Sequence, residues 1–428
     1  MRFHTLDEWL DWQLTLHDKS IELGLERVAK VAAELEIESI AGKVITVAGT
    51  NGKGSTVACY ENWLHRAGYS VASYTSPHLL HYNERIKLNT RSVSDDLICK
   101  AFEAIDTARR GIALTYFEFG TLAALWIINR HQPDYAMLEV GLGGRLDAVN
   151  IIDADMVHLT SIGMDHQSWL GDTREKIGYE KAGVLRAGIP VVCNDRQPPR
   201  SVLDEIKRLD CRCLQYQRDF DLQVTNHDGS YEWRGNGFNC TVTPPLPGVH
   251  QIQNLAGVIA GLSLLFPLQQ IGAKAVAQYF AGTELPGRFQ RLDTDFGFDT
   301  YVDVGHNHDA AIALAKNLEL VKRVPGKLVI LFGMLEDKES AKFVAELKDI
   351  VDEWWLLSLD CDRGLDADRL AERIGSEVSL VRKFANSESA LDHALSSLSN
   401  QDIMMVTGSF VTVEIFLQAI SKVHAIQI

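Results

Sequence analysis

Basic charge is what this sequence holds least of relative to its acids. Across 428 residues, 42 Lys and Arg face 57 Asp and Glu, a formal net charge of −15. That balance argues against a nucleic-acid surface and against adhesion to an anionic membrane. It leaves room for a nucleotide, which a phosphate loop attracts locally. Long apolar runs are also missing. The longest uncharged one lies around Phe119 to Asn129, too short to span a bilayer. The first residues, Met1-Arg-Phe-His-Thr-Leu-Asp-Glu-Trp9, carry acids and lack the apolar stretch of a signal peptide. Cysteines number seven, an odd count, with Cys211-Arg-Cys213 the one close pair, so neither a disulfide framework nor a zinc set is indicated. Reduced thiols and a cytoplasmic location are expected.

What is present is a chain long enough for two or three domains with an ordinary globular composition, 46% hydrophobic and 23% charged. Its most informative stretch is Val44-Ile-Thr-Val-Ala-Gly-Thr-Asn-Gly-Lys-Gly-Ser-Thr56. A β-branched run enters a loop holding Gly49, Gly52 and Gly54, and a helical apolar pattern follows from Val57 to Leu64, with Gly68 as its stop. Strand, glycine loop and helix together make a phosphate-binding loop: glycines turn backbone N–H groups toward an anion, and the helix N-terminus adds positive potential. Lys53 would reach the β- and γ-phosphates, and Thr50, Ser55 and Thr56 offer hydroxyls for phosphate or magnesium. The loop departs from the Walker A pattern, because Val47 and Gly54 stand where that pattern has Gly and Ser or Thr.

The rest of the chain reads as alternating strands and helices. Two helices are expected within residues 5–40, with Trp9 and Trp12 as core. Strands are expected at Val71–Tyr74, 134–140, 154–161 and Ile189–Cys193, and helices at 94–109, 119–131 and 173–186. Residues 213–243 read as a small antiparallel appendage around the hairpin signal Asp228-Gly229. After an apolar helix from Gln253 to Phe266, the stretch Gly282 to Phe289 reads as a hinge. Alternation then restarts, with strands at Tyr301–Val304, Leu328–Phe332, Trp354–Leu357, Val378–Val381 and Ile403–Val406. The expected fold is therefore α/β: a P-loop-type, mostly parallel sheet domain with the appendage over residues 1–284. A smaller Rossmann-like C-terminal α/β domain would occupy residues 285–428.

Chemistry-bearing residues fall at the carboxyl ends of these strands, where open α/β sheets bind ligands. Ser76 follows the second strand. Glu139 precedes Gly141-Leu-Gly-Gly144, and a carboxylate on a buried strand needs a metal or a cation, Arg145 being the plain alternative. Asp165-His166 follows a further strand, and Glu180-Lys181-Ala-Gly183 lies on the next helix. In the second half, Asp303-Val-Gly-His-Asn307 either serves a nucleotide or caps the following helix. Arg288 is a hinge cation able to reach a phosphate once domains close, and Thr407-Gly-Ser409 offers anion donors.

Taken together, Gly49–Ser55, Ser76-Pro-His78, Asn83-Glu-Arg85, Leu138–Asn150, Asp165-His166, Glu180–Gly183, Pro286–Gln290 and Asp303–Asn307 resemble the folylpolyglutamate synthase branch of the Mur ligase superfamily. The resemblance runs from Leu23 to Phe410. It implies an ATP-dependent amide ligase that adds L-glutamate to dihydropteroate and to reduced folates through an acyl phosphate. The ATP residues would be Gly49, Thr50, Asn51, Gly52, Lys53, Gly54 and Ser55, with Asn254, Arg288, Asp303 and His306. Two Mg²⁺ sites follow from it: one on Ser76 and Glu139, a second on Glu139, His166 and a carbamate formed on Lys181. Lys53, Glu139, His166 and Lys181 would thus carry the catalysis, and the pterin would fall near Tyr82 and Phe117. A monomer acting on small molecules, with neither nucleic acid nor membrane as partner, is expected. One departure stands out, since His308 occupies the place where the family has Pro. Two other readings remain open, a UDP-muramyl amino-acid ligase and a nucleotide switch without ligation. The first shares the loop but lacks support at Asn83–Arg85 and Tyr116–Gly120, and the second has no use for a second metal.

Overall fold

The computed structural model describes residues 2–17, 19, 21–225, 229–375, 378 and 381–424. Their chain contacts divide into two units. The first comprises Met1–Pro245 and Gln251–Glu284, and the second Leu246–His250 and Leu285–Ile428.

The first unit opens with the helix Leu6–Gln13. Thr5 caps it by accepting the Glu8 N–H, while the Glu8 carboxylate accepts the Thr5 N–H at 3.0 Å. Trp9 is fully buried against Phe3, Trp12 and Phe102, at ring separations of 5.2, 5.6 and 5.9 Å. Trp12, expected in the core, is only half-buried. Its ring carries the guanidinium groups of Arg2 and Arg109, at 4.6 and 5.3 Å from the centroid.

Eight strands form the main sheet: β1 (Lys43–Ala48), β2 (Val71–Tyr74), β3 (Ile86–Leu88), β4 (Arg91–Ser92), β5 (Tyr135–Glu139), β6 (Met156–Leu159), β7 (Pro190–Cys193) and β8 (Arg212–Gln215). Their order is β4-β3-β2-β5-β1-β6-β7-β8, parallel except where β3 pairs with β2 and with β4. β1 is buried along most of its length between β5 and β6, and Val47 stands opposite both Glu139 and His158. The strand order reverses here, so the loop after β1 opens at the switch point of the sheet. Residues 213–215, expected in the appendage, instead belong to β8 and extend this sheet by pairing in parallel with β7. The appendage itself is three-stranded: β9 (Phe220–Val224), β10 (Tyr231–Gly235) and β11 (Phe238–Val242), in the order β11-β10-β9. Trp233 pins it by donating from Nε1 to the Ala256 carbonyl at 2.9 Å, in the helix His250–Leu265. Asp228 of the hairpin signal lies outside the described residues.

The second unit holds β12 (Gln290–Arg291), β13 (Asp299–Asp303), β14 (Leu328–Phe332), β15 (Glu353–Leu357), β16 (Val381–Phe384) and β17 (Ile403–Thr407), in the order β12-β13-β17-β14-β15-β16. All pairs are parallel except β12 with β13. Of the strand expected at Val378–Val381, residues 379 and 380 lie outside the described ones, and β16 is described from Val381. β16 is an edge strand whose Val381, Arg382 and Lys383 are exposed, so an apolar run was a poor guide to it. Among the described residues, no helix is long and apolar enough to cross a membrane. All seven cysteines are free thiols.

Removing Trp9 would leave a large cavity under the first helix. Trp9→Ala is expected to cost about 3–5 kcal/mol of stability, read as a lower denaturant midpoint in equilibrium unfolding.

Candidate active site

The helix expected from Val57 begins earlier, at Lys53, with Gly52 as its N-cap in a left-handed conformation (φ 87°). Glycine is required at two points of the loop. A Cβ on Gly49 would lie 1.7 Å from Thr160 Oγ1, and one on Gly52 would lie 2.4 Å from Asn254 Oδ1. The loop is thus pressed between the end of β6 and the helix that carries Asn254. Hydrogen bonds fix it from the same sides. Thr50 N donates to the Ser161 carbonyl at 2.7 Å, and Thr50 Oγ1 both accepts from Gly163 N and donates to its carbonyl. Gln251 Nε2 donates to Ser55 Oγ at 3.1 Å, and Asn254 Nδ2 donates to Gln251 Oε1 at 2.9 Å. The Gln251 contact fills one lone pair of Ser55 and leaves its O–H free to donate.

Two lysines enter this region. Lys53 Nζ donates to the Thr50 carbonyl at 3.2 Å and stands 4.0 Å from Glu139 Oε1. Lys181 Nζ, buried, donates to the Gly49 carbonyl at 2.8 Å. Burial, with the nearby Lys53 cation, pulls the Lys181 amine down to about 7, against the opposing influence of Asp165 and Asp147. Asp147 is itself buried, and burial pushes it up to about 6, although its oxygens accept from Leu142 N (2.8 Å) and Val149 N (3.0 Å).

Glu139 therefore faces Lys53. The alternative partner, Arg145, pairs with Glu180 at 2.9 Å instead, because the chain reverses at Gly143 (φ 69°) and brings Arg145 N to the Glu180 carbonyl. His166 takes a left-handed backbone (φ 50°) after Asp165, whose Oδ1 accepts the His166 N–H at 2.8 Å. Ser76 is half-buried just beyond β2. Among the described residues, no three His, Cys, Asp or Glu side chains converge as a cation cluster. The set Ser76, Glu139, His166 and Lys181 contains only two such side chains. Its donors nonetheless suit a divalent cation: a buried carboxylate, an imidazole, a hydroxyl and an amine held near neutrality.

Tyr82 and Phe117 belong to an aromatic wall. Tyr82 packs on Phe102 (5.9 Å) and Tyr116 (6.0 Å), and Phe117 covers Gly141, where a Cβ would meet its ring at 2.4 Å. In the second unit, Asp303 accepts from Phe289 N (2.8 Å) and Gly305 N (2.7 Å). The cap on the following helix comes from Asn307, which accepts the Ala310 N–H. His308 is the first residue of that helix, a position suited to Pro but open to other residues, so the turn is intact. His306 Nδ1 lies 2.9 Å from the Val304 carbonyl, and the Arg288 guanidinium lies 5.1 Å from the Phe410 ring centre. Ser409 Oγ is engaged with Thr412 Oγ1 at 2.7 Å.

Known proteins resemble this chain along nearly its whole length. The pattern of the Mur ligase middle domain matches residues 47–262, and that of the Mur ligase, glutamate ligase domain, matches residues 287–410. The dihydrofolate synthase/folylpolyglutamate synthase of Escherichia coli K12 is 38% identical over 415 residues, covering 97% of this chain and 95% of that protein. The chain belongs to the dihydrofolate synthase/folylpolyglutamate synthase family. It is a ligase of the Mur class. Among solved members, E. coli FolC in complex with DHPP and ADP superposes with a TM-score of 0.90 at 36% identity, covering 98% of both chains. A bifunctional synthase with Mn, AMPPNP and L-glutamate bound gives a TM-score of 0.88 at 38% identity, again over 98% of both.

The sequence reading missed Gln251, Asp147 and Thr160. Gln251 was within reach, since it stands three residues before Asn254 on one helical face. Thr160 was not, because its role depends on strand order.

Two outcomes follow for this family member. Gly52→Ala forces a strained backbone against Asn254, so nucleotide affinity should fall by roughly tenfold or more in calorimetric titration, with a near-normal melting curve. For Asp147, the folded protein keeps its proton to higher pH than an unfolded chain does. The group therefore withdraws stability as pH rises from the ordinary carboxylate range through 6. Unfolding free energies of wild type and Asp147→Asn should diverge across that window by at most about 3 kcal/mol, with the wild type losing ground.

Proposed function

We propose that the chain joins L-glutamate to dihydropteroate, forming dihydrofolate, and to reduced folates, extending them, at the expense of ATP. The observation that carries this reading is the pair of amines on one glycine loop beside Glu139: Lys53 on the Thr50 carbonyl and Lys181 on the Gly49 carbonyl. A phosphate loop alone serves many purposes. A second, buried lysine brought near neutrality by its surroundings is chemistry that a switch does not need.

In this reading, Gly49 to Ser55, with Asn254, cradle the phosphates of ATP. Lys53 neutralises charge on the transferred γ-phosphoryl group. A carboxylate is a poor electrophile until one oxygen becomes a leaving group. The substrate carboxylate oxygen attacks the γ-phosphorus, the bond to the β-phosphate oxygen breaks, and ADP leaves. The α-amine of glutamate then attacks the acyl carbon, phosphate departs, and the amine gives up its proton.

Lys181 supports this through its neutral form, which is substantially present near pH 7. Its nitrogen adds to CO₂ and loses a proton, which turns a cation into an anionic oxygen donor. With Ser76, Glu139 and His166 that carbamate would hold magnesium at two sites, and the metal would supply charge neutralisation at the phosphoryl oxygens. Phe117, half-buried, would present aromatic surface to the pterin, whereas Tyr82 lies buried in the core.

Purified protein with ATP, magnesium and glutamate should release ADP when given dihydropteroate or a reduced folate monoglutamate. Turnover with the folate alone would reduce the assignment to chain extension. Turnover with neither, but with a UDP-muramyl acceptor, would replace it. Lys181→Ala should lower ligation by about 100-fold or more, with partial recovery on adding acetate. Full activity in that variant would sink the carbamate.

A further inference from the structure

Arg85 is a buried cation with 8% of its surface exposed, and among the described residues no carboxylate lies within ion-pair reach of it. Its neighbour Glu84 is turned away, its oxygens accepting the N–H groups of Leu79 and Leu80 at 2.8 Å and of His81 at 2.7 Å. What surrounds the guanidinium is polarisable but neutral. Its carbon stands 5.1 Å from the Tyr82 ring centre and 5.7 Å from that of Tyr116. Nε donates to His78 Nδ1 at 2.8 Å, which makes that nitrogen the acceptor and puts the imidazole proton on Nε2. The two terminal nitrogens have no hydrogen-bond partner among the described residues. These terminal nitrogens are not among the fully buried atoms, so the guanidinium is largely enclosed but open at its tip, with no counter-charge at hand, as suits a cation that meets an anionic ligand.

Its place says which ligand. The Arg85 carbonyl accepts the Thr75 N–H at 2.9 Å, and the Arg85 side chain bonds His78, so the residue braces the Ser76 turn from both sides. Beside it, Tyr82 Oη is buried and without a partner among the described residues; Tyr82 and Phe102 are core rings, and Tyr116 is half-buried against them. An anion bound at the guanidinium tip would have the half-buried Tyr116 ring and the Ser76 turn as neighbours.

We propose that the terminal nitrogens of Arg85 grip the carboxylate of the acid substrate, the group that receives the phosphoryl, in a two-point contact beside Ser76. This rests on the ligase reading above. The planar fork of arginine matches a carboxylate, and the His78 bond holds the fork in one orientation. Two lone pairs of the carboxylate go to Arg85, and a remaining one is free to attack the γ-phosphorus. The contact also offsets the repulsion between that carboxylate and the phosphates of ATP, which otherwise opposes their approach.

The test compares dihydropteroate with its analogue in which hydrogen replaces the carboxylate. Both are titrated into wild type and Arg85→Gln in the presence of AMPPNP, with steady-state kinetics alongside. Wild type should bind the analogue at least about tenfold more weakly than dihydropteroate, and Arg85→Gln should bind the two almost equally. Its KM for dihydropteroate should rise at least about tenfold while its KM for ATP stays within a factor of two or three. If the glutamine variant does not fold, Arg85→Lys, which keeps charge and stem but loses the fork, goes through the same cycle and should lose part of the discrimination. An active wild type whose variants discriminate as it does would overturn the contact alone. So would a loss falling on ATP, which would make the anion a nucleotide phosphate. A wild type inert towards every folate acid would overturn the ligase reading, and the contact with it.

Discussion

Two lysine amines tied to neighbouring carbonyls of one glycine loop set the terms for the first unit. Lys53 bonds the Thr50 carbonyl and Lys181 the Gly49 carbonyl, so like charges meet in a region with little water. Such a pair holds together only if one amine gives up its proton readily and carboxylates stand near. Both conditions are met: Lys181 is brought down to about 7 with Asp165 and Asp147 near it, and Glu139 stands by Lys53. Bonds from within the protein thus hold the loop's backbone at several points.

That convergence depends on the order of the strands. Because β1 runs between β5 and β6, the carboxyl ends of three separate stretches meet at one edge. Glu139 reaches Lys53 from one side, and Thr160 with Ser161 closes on Gly49 and Thr50 from the other. The helix bearing Gln251 and Asn254 completes the enclosure over Gly52 and Ser55.

Much of this was legible in the amino-acid order. Glycines between a β-branched run and an apolar helix announce a phosphate loop, and buried parallel strands such as β5 and β14 stand out as unbroken apolar runs. Edge strands did not stand out. β16 is exposed along Val381, Arg382 and Lys383 and so has no apolar face to mark it, and β8 joined the main sheet although its sequence, Arg-Cys-Leu-Gln, carries no clear alternation. Contacts set by long-range register were equally hidden. No local pattern pairs Arg145 with Glu180, or sets Thr160 against Gly49, because those meetings arise only once the sheet has its order. His308 shows the converse: an unexpected residue is harmless where the position asks only for a helix start.

The assignment of Leu246–His250 to the second unit has a topological consequence. The polypeptide passes between the units three times, at 245/246, 250/251 and 284/285, rather than once. Val249 N bonds Asn317 Oδ1 at 2.9 Å, so this short excursion is anchored where it lands. The two units are therefore threaded rather than strung in tandem. No single scission of the backbone yields both of them whole, and a chain emerging from synthesis has to leave the excursion unfinished until residues beyond 300 have been made.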